Sequence, residues 1–188
     1  MSHIYLIRHG KPAAGWGDDP DPGLDETGKA QAEAAAEALL ALPPEARPTR
    51  VVSSPLRRCR ETAQPFADAL GVPVEIVPEV GEIPTPQALS VETRPEWLRK
   101  SMAGAWREIE GDLDYDEWRR AVADAVARQP ATAVFSHFVA INAVLSVLTG
   151  DERVIGFRPD HTSITTLKLG DEGLALVERG REATTGVL

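Results

Sequence analysis

Two histidines in this chain each follow a short apolar run. His9 stands between Arg8 and Gly10 after residues 4–7, and His137 comes after residues 132–135 and Ser136. Between them lie Ser53-Ser54, then Arg57, Arg58 and Arg60, and further on the carboxylates Glu79 and Glu82. These residue types suit phosphoryl transfer. Arginine offers a dianionic phosphate planar, permanently charged, bidentate donors. A histidine beside it acts as a nucleophile when one ring nitrogen is free and the other is fixed by a hydrogen bond. The leaving alkoxide needs a proton, which a nearby carboxylic acid of raised pKa can deliver. No cluster of Asp or His suggests a metal site, so the expectation is that the protein supplies the positive charge itself and uses no cofactor.

For these residues to meet, each should follow a strand of one sheet, because ligands of open α/β sheets bind beyond the carboxyl ends of the strands. Residues 3–7, 50–53, 74–77 and 132–135 read as strands, and each is followed by a candidate residue. Asp25 or Thr27 starts an Ala-rich helix that runs to about Leu42, where Pro43-Pro44 stops it. Ser54 as cap and Pro55 in the first turn predict a helix ending by Gly71, whose N–H groups would favour an anion. The uncharged stretch between Pro130 and Gly150 reads as a strand and then a helix over 138–148 closed by Gly150, not as a membrane span. Residues 163–169 and 174–178, joined through Gly170-Asp171-Glu172-Gly173, predict a hairpin. Residues 78–129 carry Trp97, Trp106 and Trp118 without a strand pattern and read as helical, with 114–128 the clearest helix. The expected fold is α/β: a three-layer α/β/α arrangement with a mostly parallel central sheet. The chain is expected to be a single domain, 1–188, with the insertion at about 78–129 lying over the active-site edge.

Composition excludes several classes. Of 188 residues, 43% are hydrophobic and 26% charged, which is ordinary for a globular chain and unlike disorder. Cys59 is the only cysteine, so neither a disulfide framework nor a cysteine zinc cluster is possible. The formal charge of −9 argues against nucleic-acid polymers, and the N-terminal apolar run is too short for a signal peptide. A cytoplasmic protein is expected, with no membrane partner and an oligomeric state that cannot be read from sequence. The acidic surplus also suggests that a second strongly anionic group on a substrate would be unwelcome.

The sequence resembles the histidine phosphatase superfamily, also called phosphoglycerate-mutase-like, in its branch 1. The Arg-His-Gly triplet that ends the family's first strand is matched by Ile7-Arg8-His9-Gly10. The second motif is matched by Ser53-Ser54-Pro55-Leu56-Arg57-Arg58-Cys59-Arg60-Glu61-Thr62-Ala63, and the later histidine by Val134-Phe135-Ser136-His137. Gly28 and Gln31 in the first helix, and Ser163-Ile164-Thr165 in a late strand, also look like family positions. The resemblance selects Arg58 from the arginine cluster. It implies His9 as nucleophile, with Arg8, Arg58 and His137 as catalytic residues that also bind the phosphoryl group, and Glu82 as proton donor, Glu79 being the reserve. The implied activity is metal-independent hydrolysis of phosphomonoesters through a phosphohistidine, on a small phosphorylated substrate or a phosphoprotein.

Two departures from the family pattern shape the alternatives. Glu82 stands in Gly81-Glu82-Ile83-Pro84, not in the Glu-plus-Gly-x-x-Glu-Gly context of many members, which leaves a phospho-ligand-binding module with little turnover as one alternative. Mutase-type phosphoryl transfer is the other. It is disfavoured because Lys11-Pro12-Ala13-Ala14-Gly15 replaces the polar, Asn-containing loop of the mutases. Phe138-Val139 after His137 excludes the family branch that places an acid there. The remaining candidates carry plainer expectations. Arg57 and Arg60 should be solvated or ion-paired, and His3 and His161 ordinary histidines, although the strand entrance that holds His161 is one that could face the site. The three later tryptophans should be core, Trp16 is a candidate substrate contact, and Asp18, Asp19 and Asp21 should form a solvated loop.

Overall fold

The computed structural model describes residues 2–15 and 19–184. In chain order it has β1 (Ser2–Arg8), α1 (Glu26–Leu40), β2 (Arg50–Ser53), α2 (Arg57–Leu70), β3 (Val74–Ile76), α3 (Arg94–Ala103) and α4 (Tyr115–Ala127). There follow β4 (Thr132–Ser136), α5 (Phe138–Thr149), β5 (Ile164–Gly170) and β6 (Gly173–Glu178). The sheet order is β3-β2-β4-β1-β5-β6. The first four strands of that order run parallel, and β5 and β6 close the β1 side as an antiparallel hairpin.

Alternation along β1 sorts its side chains between two cores. Ile4 and Leu6 join Val52, Val134 and the buried faces of α4 and α5, whereas Tyr5 and Ile7 join Val51, Ala133, Phe135 and the buried faces of α1 and α2. Helices therefore cover both faces, which is the condition for parallel strands as uniformly apolar as Thr132–Ser136. The apolar stretch before Gly150 is β4 plus α5, with Gly150 in the left-handed conformation at the C-cap (φ 72°). No helix among the described residues is long and apolar enough to cross a membrane. Residues 78–129 hold α3 and α4. Helix α4 is capped by Asp114, whose carboxylate accepts from the Asp116 and Glu117 amides, and its buried face packs with α5.

One boundary differs from expectation and matters for the site. Helix α2 starts at Arg57 with Leu56 as a cap that makes no side-chain bond, so Ser54-Pro55 forms a turn ahead of the helix. The Ser54 hydroxyl accepts from the Leu56 amide ahead of the helix (3.3 Å) and also lies 2.8 Å from His137 Nε2.

Parallel register places the strand ends side by side. Arg8 pairs with Ser136, and Ser53 with Phe135. Main-chain bonds continue past the ends: the His9 amide donates to the Ser136 carbonyl (3.0 Å) and the Ser54 amide to the Phe135 carbonyl (3.0 Å). The loop after His9 is then pinned to α1. Asp25 caps that helix by accepting from the Gly28 amide (2.7 Å), and its own amide donates to the Lys11 carbonyl (3.1 Å). The approach is close enough to require glycine. A Cβ on Gly10 would lie 2.7 Å from the Gly28 carbonyl oxygen, and one on Gly28 would collide with the Lys11 backbone. Helix propensity alone predicts that Gly28→Ala stabilises the protein by about 1 kcal/mol. Because the collision is with backbone, we expect instead a loss of about 1–3 kcal/mol in urea denaturation. A variant as stable as the parent would show that α1 and the His9 loop are not in this contact.

Candidate active site

The residues that end β1, β2 and β4 converge on a cavity of about 550 Å³. Arg8, His9, Arg58, Glu82 and His161 line it, with the 11–15 loop, Pro22 and Asp25 on one wall and Pro95, Arg99 and Met102 of α3 on another. Phe138 and Val139, the first residues of α5, complete it. His137 lies directly behind, fully buried, with its ring centroid 5.3 Å from that of His9.

His9 has its ring orientation fixed by its own backbone. Nδ1 lies 2.8 Å from the Gly10 carbonyl, which can only accept, so the proton is on Nδ1 and the Nε2 lone pair is available. The Arg58 Nε–H approaches that lone pair at 3.3 Å. Burial, then His137, Arg58 and Arg8, push the His9 pKa well below the ordinary histidine value. The imidazole is therefore neutral at neutral pH and can act as a nucleophile.

Arg8 is buried beside it. Its Nη1 donates to the Pro159 carbonyl (2.9 Å), its guanidinium lies 5.2 Å from the Phe138 ring centroid, and its Nε–H has no partner. Burial lowers its pKa to about 10, with Glu82 and Asp160 opposing the shift, so it remains a cation at neutral pH. Arg58 reaches from the first turn of α2 to both histidines. Its Nη2 donates to His137 Nδ1 at 3.2 Å, which assigns the His137 proton to Nε2, the atom facing Ser54. Burial, followed by Arg58, Arg8 and Arg94, holds the His137 pKa well below its ordinary value. Thr62 ties the two motifs together: it accepts from the Gly10 amide (2.9 Å) and donates to the Arg58 carbonyl (2.6 Å).

The Glu82 side chain is 8% exposed, and its Oε2 lies 3.7 Å from Arg58 Nη2 and 3.6 Å from His137 Nδ1. Its Oε1 accepts from the Ile83 amide at 3.0 Å, which fixes the carboxylate. Glu79, the reserve candidate, is exposed and outside the cavity. Arg57 is paired with Glu61 at 2.6 Å and Arg60 is exposed, so neither lines the cavity. His3 stacks on Tyr5 at the far end of β1. Trp106 and Trp118 pack together and Trp97 packs on Tyr115, all away from the cavity. Trp16 and Asp18 lie outside the described residues. Asp21 is not merely solvated, since it accepts from the Arg57 amide at 2.7 Å. Burial pushes the Cys59 thiol pKa up, so the sulfur beside His137 is un-ionised. Among the described residues no three His, Cys, Asp or Glu side chains are grouped as a metal site would need.

Several contributors carried no sequence signal. The Pro159 carbonyl is a backbone group, and Ser54 reads more naturally as a helix cap than as a histidine partner. Arg99 is one of many cations in the insertion, yet it lines the cavity without an ion pair among the described residues. The cavity lining therefore holds Arg8, Lys11, Arg58 and Arg99 against Asp25 and Glu82, with Lys11 and Asp25 paired at 3.0 Å. The expectation that a second anionic group would be unwelcome does not hold for this lining. The reason is local, because acidic residues elsewhere, such as Glu75, Asp151 and Asp160, are taken up by their own arginines. The loop holding His161 is strained: Thr162, a β-branched residue, adopts φ 56°, a conformation that costs about 1–3 kcal/mol.

Solved structures with a similar fold include phosphatases. A mutant phosphoserine phosphatase from Entamoeba histolytica, in complex with phosphoserine, superposes with a TM-score of 0.74 at 20% identity, covering 95% of this chain and 96% of that one. A mycobacterial glucosyl-3-phosphoglycerate phosphatase in complex with VO3 gives 0.69 at 22% identity, over 97% and 100% of the two chains. Among curated proteins, the transcription factor tau 55 kDa subunit of Saccharomyces cerevisiae is 39% identical over 93 residues, 44% of this chain. The match spans only 21% of that longer protein. The histidine phosphatase superfamily (branch 1) itself matches residues 4–181, a span that includes both strand-end histidines, Arg8, Arg58 and Glu82, and the chain belongs to that superfamily.

Proposed function

We propose that the protein is a metal-independent phosphatase that hydrolyses small phosphomonoesters through a phosphohistidine. The observation that carries this reading is the neutral His9, with Nε2 free of a proton, set in one cavity with two buried arginines and a carboxylate. His9 Nε2 attacks phosphorus, and the bond from phosphorus to the ester oxygen breaks. Arg8 and Arg58 hold the equatorial oxygens and stabilise charge as it develops on them. The dianion also supplies the counter-charge that lets His137 take a proton at Nδ1 and become a further donor. Glu82, as the acid, gives its proton to the departing alkoxide. The resulting carboxylate then takes a proton from water as the water attacks phosphorus, the P–N bond breaks, and inorganic phosphate and His9 are released. The cavity has room for an organic body beyond the phosphate, and Arg99 favours one with its own anionic group.

Three measurements test this reading. Purified protein should hydrolyse an activated aryl phosphate in EDTA, and His9→Ala should reduce the rate by about 10³-fold or more. Activity that vanishes with the chelator and returns with a divalent ion would replace the mechanism. Glu82→Ala should slow alkyl phosphates by about 10²–10⁴-fold but activated aryl phosphates far less. Equal losses on both would remove Glu82 as the acid. The third measurement is the acid limb of kcat/KM. Because the environment lowers the His9 pKa, acid abolishes the lone pair only at a pH well below the ordinary histidine value. After allowance for the substrate's second ionisation, kcat/KM for an aryl phosphate should stay level between pH 7 and 5. A fall centred near pH 6.5 would show a histidine of ordinary pKa in the nucleophile's role.

A further inference from the structure

A third histidine faces the cavity. The His161 ring centroid lies 5.9 Å from that of His9, little more than the 5.3 Å between His9 and His137. The rings of His9 and His137 are both fixed by hydrogen bonds, but neither ring nitrogen of His161 has a protein partner among the described residues. Its backbone, by contrast, is held from several sides. The His161 amide donates to Asp160 Oδ1 (2.8 Å), and the His161 carbonyl accepts from the Thr162 hydroxyl (2.7 Å) and Arg181 Nη2 (3.1 Å). Arg181 also pairs with Asp160 Oδ2 at 3.0 Å, and the strained Thr162 donates its amide to the Arg8 carbonyl at 3.0 Å. A half-buried imidazole is thus presented on a fixed loop with no hydrogen-bond partner for its ring among the described residues. The charged groups near it are Arg8, Asp160, Asp25 and Lys11, whereas Glu82 stands against Arg58 and His137.

The geometry points to His161 as a further catalytic residue, one that donates a ring N–H to a phosphoryl oxygen from the Arg8 side of the cavity. The inference rests on the phosphatase reading of the same cavity. A neutral imidazole suits the role, because it adds a donor without adding another buried cation to Arg8 and Arg58. Burial first, then Arg8, lowers the His161 pKa to about 4, which agrees with that neutral form.

Calorimetric titration with inorganic phosphate and with orthovanadate tests the contact without requiring turnover. His161→Ala should weaken both by about 10-fold or more, the loss of a hydrogen bond to a charged group. His161→Gln should recover most of the affinity, because its amide offers an N–H at similar reach. In the parent protein, phosphate should shift the His161 imidazole NMR signals. Affinity within about twofold of the parent for His161→Ala would overturn the proposal, being too small for a lost charged hydrogen bond. Equal weakening in both variants, with His161 signals that ignore phosphate, would also overturn it and assign the residue to holding the Arg8 loop. A parent protein that binds phosphate with these responses but hydrolyses no monoester would refute the phosphatase reading and uphold the contact.

Discussion

Arg8 and Arg58 are cations held almost wholly out of water, and among the described residues the one carboxylate within ion-pair distance of either is Glu82, 3.7 Å from Arg58. Burying charge is unfavourable by several kcal/mol per ion unless it is compensated, and most of the surrounding structure serves that end. The Pro159 carbonyl, the Phe138 ring face and two imidazole lone pairs are turned toward the guanidinium groups. The compensation is incomplete, as the unpartnered Arg8 Nε–H shows. A doubly charged phosphoryl group would complete it. Burial first, and then the same cations, lower the His9 and His137 pKa values, so the groups that would hold the anion also favour the neutral His9 that a nucleophile needs.

Most of this was legible where sequence pattern and burial coincide. The strands that hold the site are buried on both faces, so they appear as unbroken apolar runs. The polar residue that ends each run then marks the sheet edge. Gly150 and Asp114 closed and opened their helices as their chemistry suggests. The choice of Arg58 over Arg57 and Arg60 was not legible from spacing and came from resemblance alone. The structure supplies the reason: Arg58 shares the buried face of α2 with Cys59, Thr62 and Ala63, and its neighbours point outward. Ser54 keeps a local role, accepting from the Leu56 amide ahead of α2, but its contact with a histidine 83 residues away has no sign in the sequence. Backbone acceptors were invisible, and α3 was legible only as part of a helical 78–129 without bounds, for a plainer reason. A carbonyl has no residue type, and a short helix that buries only Leu98 and Ser101 has a weak period.

Net charge proved a poor guide to the cavity. It sums over the whole surface, so what remains at one concave site depends on placement. The overall balance still disfavours a polyanion spread across the whole surface. Local complementarity to a small anion is a separate quantity, set by four cations and two carboxylates.

The position of β1 has a consequence for the order in which the molecule forms. Its neighbours in the sheet are β4 and β5, so the first strand of the chain pairs only with strands made after residue 131. Arg8 likewise finds its main-chain and side-chain acceptors at residues 159–163. Until that part of the chain arrives, Arg8 has no native partner and belongs in water. Loop closure over such separations is slow, so the sheet centre and the cavity should appear together, late in folding. Partly formed states would then lack the cavity altogether rather than hold a loose version of it.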